Sequence, residues 1–191
     1  MKYATISATA FLLVAVPMAA KAEHRQLGPH VHGHGTLNIA VEGGKVSMEL
    51  DAPGADIAGF EHKPNSPQEE AQAKAAMANL KDGQKQFVLT PAAQCKLVES
   101  KAEIEEEAHH EESKDEHDAD HEHEEHGGHN DYNASYTFEC ASPDKLNSIT
   151  FDYFKTFAGA KALTINVVGP NNQGAYEVTR EQPVLDLGGR L

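Results

Sequence analysis

The sequence predicts an α+β domain, mainly antiparallel and sandwich-like in its β part, with one helix near residues 67–82 and a disordered insertion rich in His and acid. Three observations carry that reading. Period-2 apolar alternation recurs in seven or eight short runs, a helix-start signature occurs once, and strands do not alternate with helices as parallel βαβ winding requires. The 191 residues, 39% of them hydrophobic and none of them Trp, suit one ordinary domain and exclude two large cores.

Residues 6–20 form an apolar run that is shorter than the ~20 residues needed to cross a bilayer as a helix. Lys2 precedes the run, and Ala20-Lys21-Ala22 places small residues at the −3 and −1 positions of a cleavage site. Residues 1–22 are therefore expected to be a secretory signal peptide, and residues 23–191 a single domain. A polar lead with His24, His30, His32 and His34 opens that domain. Residues 36–42 then put Leu37, Ile39 and Val41 on one parity, and residues 45–51 do the same with Val46, Met48 and Leu50. Gly43-Gly44 supplies the two-residue turn of a hairpin with one buried face. Pro53-Gly54 ends it, and residues 57–62 read as a short extended segment.

Ser66-Pro67-Gln68-Glu69 combines an N-cap, Pro at the first helical position and Glu three residues after the cap. The helix that follows carries a narrow stripe of Ala73, Ala76, Met77 and Leu80, suited to lying close against a sheet. Gly83 stands where a left-handed C-terminal residue is expected. Residues 87–90, 94–98, 134–140, 149–154, 163–168 and 175–180 supply the remaining strands, the last two joined by a turn-rich stretch at 169–174.

The net charge of −14 is concentrated in one place. Residues 99–131 hold 15 of the 30 acids against only Lys101 and Lys114, a local charge of −13, together with 7 of the 12 histidines. Such a balance excludes nucleic acid as a partner. Ile104 is the one large apolar side chain in the segment, so the insertion at 99–131 is expected to be disordered, or transiently helical, without metal. The two cysteines, Cys95 and Cys140, bracket it. In an exported chain they have one intramolecular pairing available, a disulfide between neighbouring antiparallel strands that would anchor the insertion at its base; an oxidising compartment disfavours the alternative of thiolate metal ligands.

His30-Val31-His32-Gly33-His34 places three imidazoles at i, i+2 and i+4. On an extended chain they fall on one face, about 6.5 Å apart per step, within reach of a shared ion. They lie opposite in parity to Leu37, Ile39 and Val41, which removes a core role unless a bulge at Gly33 or Gly35 flips the register. His62, beside Glu61, is a further candidate ligand, and His24 a weaker one. His109, His110, His117, His121, His123, His126 and His129 stand among carboxylates in the insertion. Neutral imidazole suits Zn2+, Cu2+ and Ni2+, and neighbouring Glu and Asp concentrate the cation, ligate it or hydrogen-bond a ligating His. A merely solubilising run would explain the acids but not the histidines. Ca2+, which prefers all-oxygen shells, fits poorly.

His30-Val31-His32-Gly33-His34-Gly35-Thr36-Leu37-Asn38-Ile39-Ala40-Val41-Glu42-Gly43 and Glu49-Leu50-Asp51-Ala52-Pro53-Gly54-Ala55-Asp56-Ile57-Ala58-Gly59-Phe60-Glu61-His62 resemble the ZrgA-type periplasmic zinc-binding proteins of Gram-negative bacteria. The similarity spans most of the chain and includes a Cys on each side of a His-rich insertion. It implies a periplasmic protein that binds zinc and assists its uptake, alongside an ABC-type zinc importer or its solute-binding protein. His30, His32, His34 and His62 match that family's fixed histidines. Two other readings compete: passive storage or detoxification of zinc, nickel or copper, and a metalloenzyme such as a copper–zinc dismutase-like protein. The second lacks the rest of the dismutase ligand pattern and any general base at a defensible spacing, so no enzyme is expected.

Overall fold

The computed structural model describes residues 31–106 and 129–188. Nine strands and four α-helical segments follow one another among the described residues. The first hairpin is β1 (His34–Glu42) and β2 (Lys45–Pro53), turned by Gly43 at φ 56°. One helical turn, α1 (Gly54–Ile57), follows, then the long helix α2 (Pro67–Lys81), a further turn α3 (Gly83–Gln86) and the short strand β3 (Phe87–Leu89). β4 (Cys95–Glu106) and β5 (Asn130–Cys140) flank the His-rich insertion. β6 (Ser148–Phe151), the turn α4 (Tyr153–Thr156), β7 (Ala162–Val168), β8 (Gln173–Thr179) and β9 (Val184–Asp186) complete the chain.

Six strands form one sheet in the order β4-β5-β2-β1-β7-β8, antiparallel throughout except that β1 and β7 run parallel; β3-β6-β9 form a second, antiparallel sheet. The alternation read in the sequence is the cause of the large sheet. Leu37, Ile39, Val46, Met48, Leu50, Tyr136, Phe138, Leu163 and Ile165 are all buried on one face. They meet Ala76 and Leu80 of α2 and Phe87, Ile149, Phe151 and Leu185 of the small sheet in one continuous core. The expected α+β architecture, mostly β, is what forms.

The expected helix is present at Pro67–Lys81, with Ser66 Oγ accepting from the Glu69 amide at 3.3 Å. Glu69 reaches back one residue further than the usual capping box, accepting from the Asn65 amide at 2.8 Å. Gly83 differs from its expected role, because it has no left-handed φ. It is small because the ring of Tyr136 lies where a Cβ would be. That ring is fixed: its hydroxyl donates to Leu80 O at 2.8 Å, and its edge packs on Phe87 at 5.3 Å between centroids. Gly83→Ala is expected to cost about 1–3 kcal/mol as an overpacking change, read as a lower denaturant midpoint with zinc binding unaltered.

Further differences have physical causes. The segment at 57–62 is not extended, since α1 and the reversal after it occupy its start. β4 runs through residues 99–106, and β5 begins at Asn130, so both ends of the segment read as unstructured belong to the sheet. Composition misled here because pairing with β5 supplies the burial that β4 lacks alone. Ala102 packs against the core and Ser100 Oγ donates to Lys81 O at 2.8 Å, while Glu99, Lys101, Glu103 and Glu105 stay in solvent. The disulfide between Cys95 and Cys140 is present, across directly paired residues of β4 and β5. It does not sit at the root of the insertion, which leaves from Glu106 and returns to Asn130 at the other end of this ladder.

Candidate metal centre

The strand register brings four chain segments to one end of the large sheet. β2 ends at Pro53 opposite Asp131 near the start of β5, and β1 begins at His34 opposite Ala162 at the start of β7. Whatever precedes β1, follows β2, precedes β5 or precedes β7 must therefore collect there. Arg180 steadies the last of these, its guanidinium donating to the carbonyls of Phe154, Phe157, Ala158 and Ala160.

After β2 the chain makes the single turn α1, whose Gly54 carbonyl accepts from the Ala58 and Gly59 amides. Gly59, at φ 88°, reverses the direction and returns Phe60 and Glu61 along the turn. Asn130 fastens this loop to β5 by donating from Nδ2 to His62 O at 3.5 Å. Glu61 thereby comes to lie between a ring from the amino-terminal lead and a ring from the root of the insertion. His32 Nε2 donates to Glu61 Oε1 at 2.9 Å, and His129 Nδ1 donates to Glu61 Oε2 at 2.6 Å. The carboxylate is only 13% exposed while the two rings are 67% and 52% exposed, so a shielded anion holds two accessible imidazoles. Burial pushes the Glu61 carboxyl up, but the hydrogen bonds and charges of His129 and His32 outweigh it and hold the group below the usual carboxylate range.

Asp56, on α1, sets the direction of His32. Its Oδ1 accepts from the Gly33 amide at 2.6 Å, and the Gly33 carbonyl accepts from Lys161 and Ala162 amides at 2.8 and 2.9 Å. Gly33 is held at φ 88°, a conformation that a side chain resists. Asp56 is 3% exposed; burial holds its carboxyl above the usual carboxylate range, outweighing the Gly33 bond and the nearby His32, which pull it down.

The same turn separates the histidines that an extended chain would align. β1 begins only at His34, whose amide donates to Val31 O at 2.9 Å, so Val31–His34 is a tight reversal rather than a strand. His32 turns to Glu61; His34 lies on the polar face of β1 and hydrogen-bonds Thr164 Oγ1 through Nε2 at 2.8 Å. His62 is directed elsewhere too. Its ring stacks on Phe60 at 5.1 Å, Nδ1 donates to Lys63 O at 3.0 Å, and Nε2 lies 3.9 Å from Glu69 Oε1. Of the histidines singled out in the sequence, His32 and His129 are thus brought together, and His34 and His62 are not. The expected signal peptide, His24, His30, His109, His110, His117, His121, His123 and His126 lie outside the described residues.

Among the described residues, no group of three or more His, Cys, Asp or Glu side chains is arranged as a finished metal cage. The reason is visible in the distances. The rings converge on the two oxygens of one carboxylate, at 2.9 and 2.6 Å, whereas two ligands of one tetrahedral zinc stand roughly 3.3 Å apart. Glu61 and Asp56 were not singled out by sequence spacing. The available signal was the adjacency of Glu61 to the candidate His62.

A concavity of about 440 Å³ lies on the outer face of the large sheet, lined by Thr36, Asn38, Glu49, Lys101, Glu103 and Ser135 among others. It contains none of the histidines, so the His32–Glu61–His129 cluster is the better candidate. No described helix is long and apolar enough to cross a membrane. Against known proteins, residues 29–187 match the family model described as ZrgA family zinc uptake protein. No curated protein matches the chain.

Proposed function

The chain belongs to the ZrgA family of zinc uptake proteins, and from that premise we propose that it captures Zn2+ in the periplasm through histidines and passes it towards an ABC-type importer, directly or through that importer's solute-binding protein. The observation that carries the reading is Glu61 joining His32 to His129, because His129 is the last histidine of the insertion and the first residue before β5. Histidines at 109–126 meet the ion first. Each is a moderate ligand on a chain dense in carboxylate, so ions exchange among them without release. The root of that chain is fixed at Glu61. Zinc arriving there would be held by lone pairs on His32 Nε2 and His129 Nδ1, each neutral ring carrying its proton on its other nitrogen, and by the Glu61 carboxylate as a third donor.

The family is one of zinc uptake rather than of catalysis, and the cluster suits cargo better than a reaction, because its rings are open to solvent and to exchange. Equilibrium dialysis of the mature chain against zinc at neutral pH tests the reading; less than one ion bound per chain would reject it. Storage without delivery is separated from uptake by growth of a deletion strain. Failure under zinc chelation supports uptake, and sensitivity only to excess metal supports buffering.

Acidity supplies a further expected result. Imidazole ordinarily titrates near ~6.5, and two rings must each shed a proton to ligate, so apparent affinity should fall by up to about two decades per pH unit below that value. Glu61 does not cause the loss. Its carboxyl is held below the usual range, so it stays ionised through this window, and what its ionisation adds to folding is lost only as pH falls through that depressed value. Chelator competition between about pH 7.5 and 5.5 measures the slope, and a flat profile contradicts ligation by the rings.

A further inference from the structure

Resting on the zinc reading above, we infer that Tyr153 is a positioning residue for His32, acting through Asp56: the buried hydroxyl and the buried carboxylate form one polar pair that keeps the Gly33 amide in its grip. Asp56 Oδ1 accepts from that amide at 2.6 Å, while Oδ2 is buried and has no hydrogen-bond partner among the described residues. The Tyr153 hydroxyl is likewise buried and without a partner among them. One atom is an acceptor and the other a donor, so each supplies what the other lacks. A single ordered water, accepting from the hydroxyl and donating to Oδ2, satisfies both.

The path of the chain ties the two together. Tyr153 stands on α4 and packs its ring on Phe157 at 5.0 Å between centroids. Two residues further on, Gly159 has no room for a Cβ, which would meet Asp56 Cα at 2.6 Å and Ala55 O at 2.7 Å. The loop after α4 is therefore pressed onto α1, and Arg180 fixes it by donating to the carbonyls of Phe157, Ala158 and Ala160. The same loop runs on to Lys161 and Ala162, whose amides donate to Gly33 O. Gly33 is thus held at its carbonyl by the segment that follows Tyr153 and at its amide by the carboxylate that Tyr153 supports. Electrostatics agrees with the pairing. Burial pushes the Tyr153 hydroxyl well above its usual range and the Asp56 charge pushes it further, so it keeps its proton and serves as a donor. Packing alone does not account for the hydroxyl, since Phe would meet Phe87, Phe154 and Phe157 equally well and bury no polar atom. Without it the carboxylate is free to turn from Gly33, and His32, the residue before, loses its direction towards Glu61.

The test uses the full mature chain as wild type, Tyr153→Phe, Tyr132→Phe and Glu61→Gln. Two quantities are read: hydrogen exchange of the Gly33 amide by NMR in the metal-free protein, and affinity for zinc alone by chelator competition. Tyr132 is the matched control, because its hydroxyl is also buried without a partner among the described residues, and burial is the one cause that shifts it. Both Tyr substitutions keep the ring and remove one oxygen. Tyr153→Phe should quicken Gly33 exchange and weaken zinc by about tenfold, and Tyr132→Phe should change neither. Unaltered Gly33 exchange in Tyr153→Phe, or an equal change in Tyr132→Phe, would overturn the positioning role. Faster exchange with zinc weakened only in Glu61→Gln would overturn the part of Tyr153 in binding and leave the zinc reading standing. Faster exchange with wild-type affinity in both Tyr153→Phe and Glu61→Gln would overturn the zinc reading while the Tyr153–Asp56 pair survives.

Discussion

Glu61→Gln is expected to weaken zinc at the ordered site by about tenfold or more, because it removes the anionic oxygen proposed as the third donor. The substitution keeps the length and most of the volume of the side chain. It removes the charge, and it replaces one of the two acceptor oxygens by an NH2 group that cannot accept from an imidazole N–H. Either His32 or His129 therefore loses its partner, since each now occupies one oxygen of Glu61. His32→Ala and His129→Ala should each reproduce most of the loss, and combining either with Glu61→Gln should add less than the sum because the three act on one ion. Chelator competition at neutral pH provides the measurement. His34→Ala and His62→Ala serve as controls, because His34 is engaged with Thr164 and His62 with Phe60 and Lys63. Equal losses at His34 would mean that the histidine ladder, not Glu61, organises the site.

Much of the scaffold was legible because it depends on local pattern. Leu37, Ile39 and Val41 repeat with period 2, Ser66-Pro67 marks a helix start, and both signals survive translation into β1 and α2. The candidate centre was legible in residue type and illegible in arrangement. His32 and His129 could be named, but they are brought together by register between β2 and β5 and by the return of the chain after Gly59, which no short window contains. The same limit governs the geometry of His32 and His34. Spacing of i, i+2, i+4 predicts one face only while the backbone stays extended, and Gly33 at φ 88°, fixed by Asp56 and by the amides of Lys161 and Ala162, breaks that condition. Asp56 itself carried no signal in sequence. Its part comes from burial and from its bond to the Gly33 amide, properties of the folded chain alone.

Removing the disulfide is expected to have the largest effect on stability and almost none on the metal. Cys95 and Cys140 are 45 residues apart in sequence, so on the chain-entropy model their bond restricts the unfolded chain by about 4 kcal/mol. The double variant Cys95→Ser, Cys140→Ser should therefore melt roughly 8–16 °C lower, at about 2–4 °C per kcal/mol for a chain of this size. The effect acts through the unfolded state. In the folded chain, β4 and β5 remain paired from the cysteines to Glu106 and Asn130, a ladder that does not need the covalent link to keep its register. The bond also lies at the far end of that ladder from Glu61 and His129, about 35 Å away at ~3.4 Å per residue. Zinc affinity measured well below the melting transition should accordingly match wild type. A variant that melts as expected but binds zinc more weakly would mean that the β4–β5 pair transmits its end-to-end geometry to the root of the insertion. The His32–Glu61–His129 contact, which is held by α1 and Gly33 rather than by β4, gives the ladder no such role.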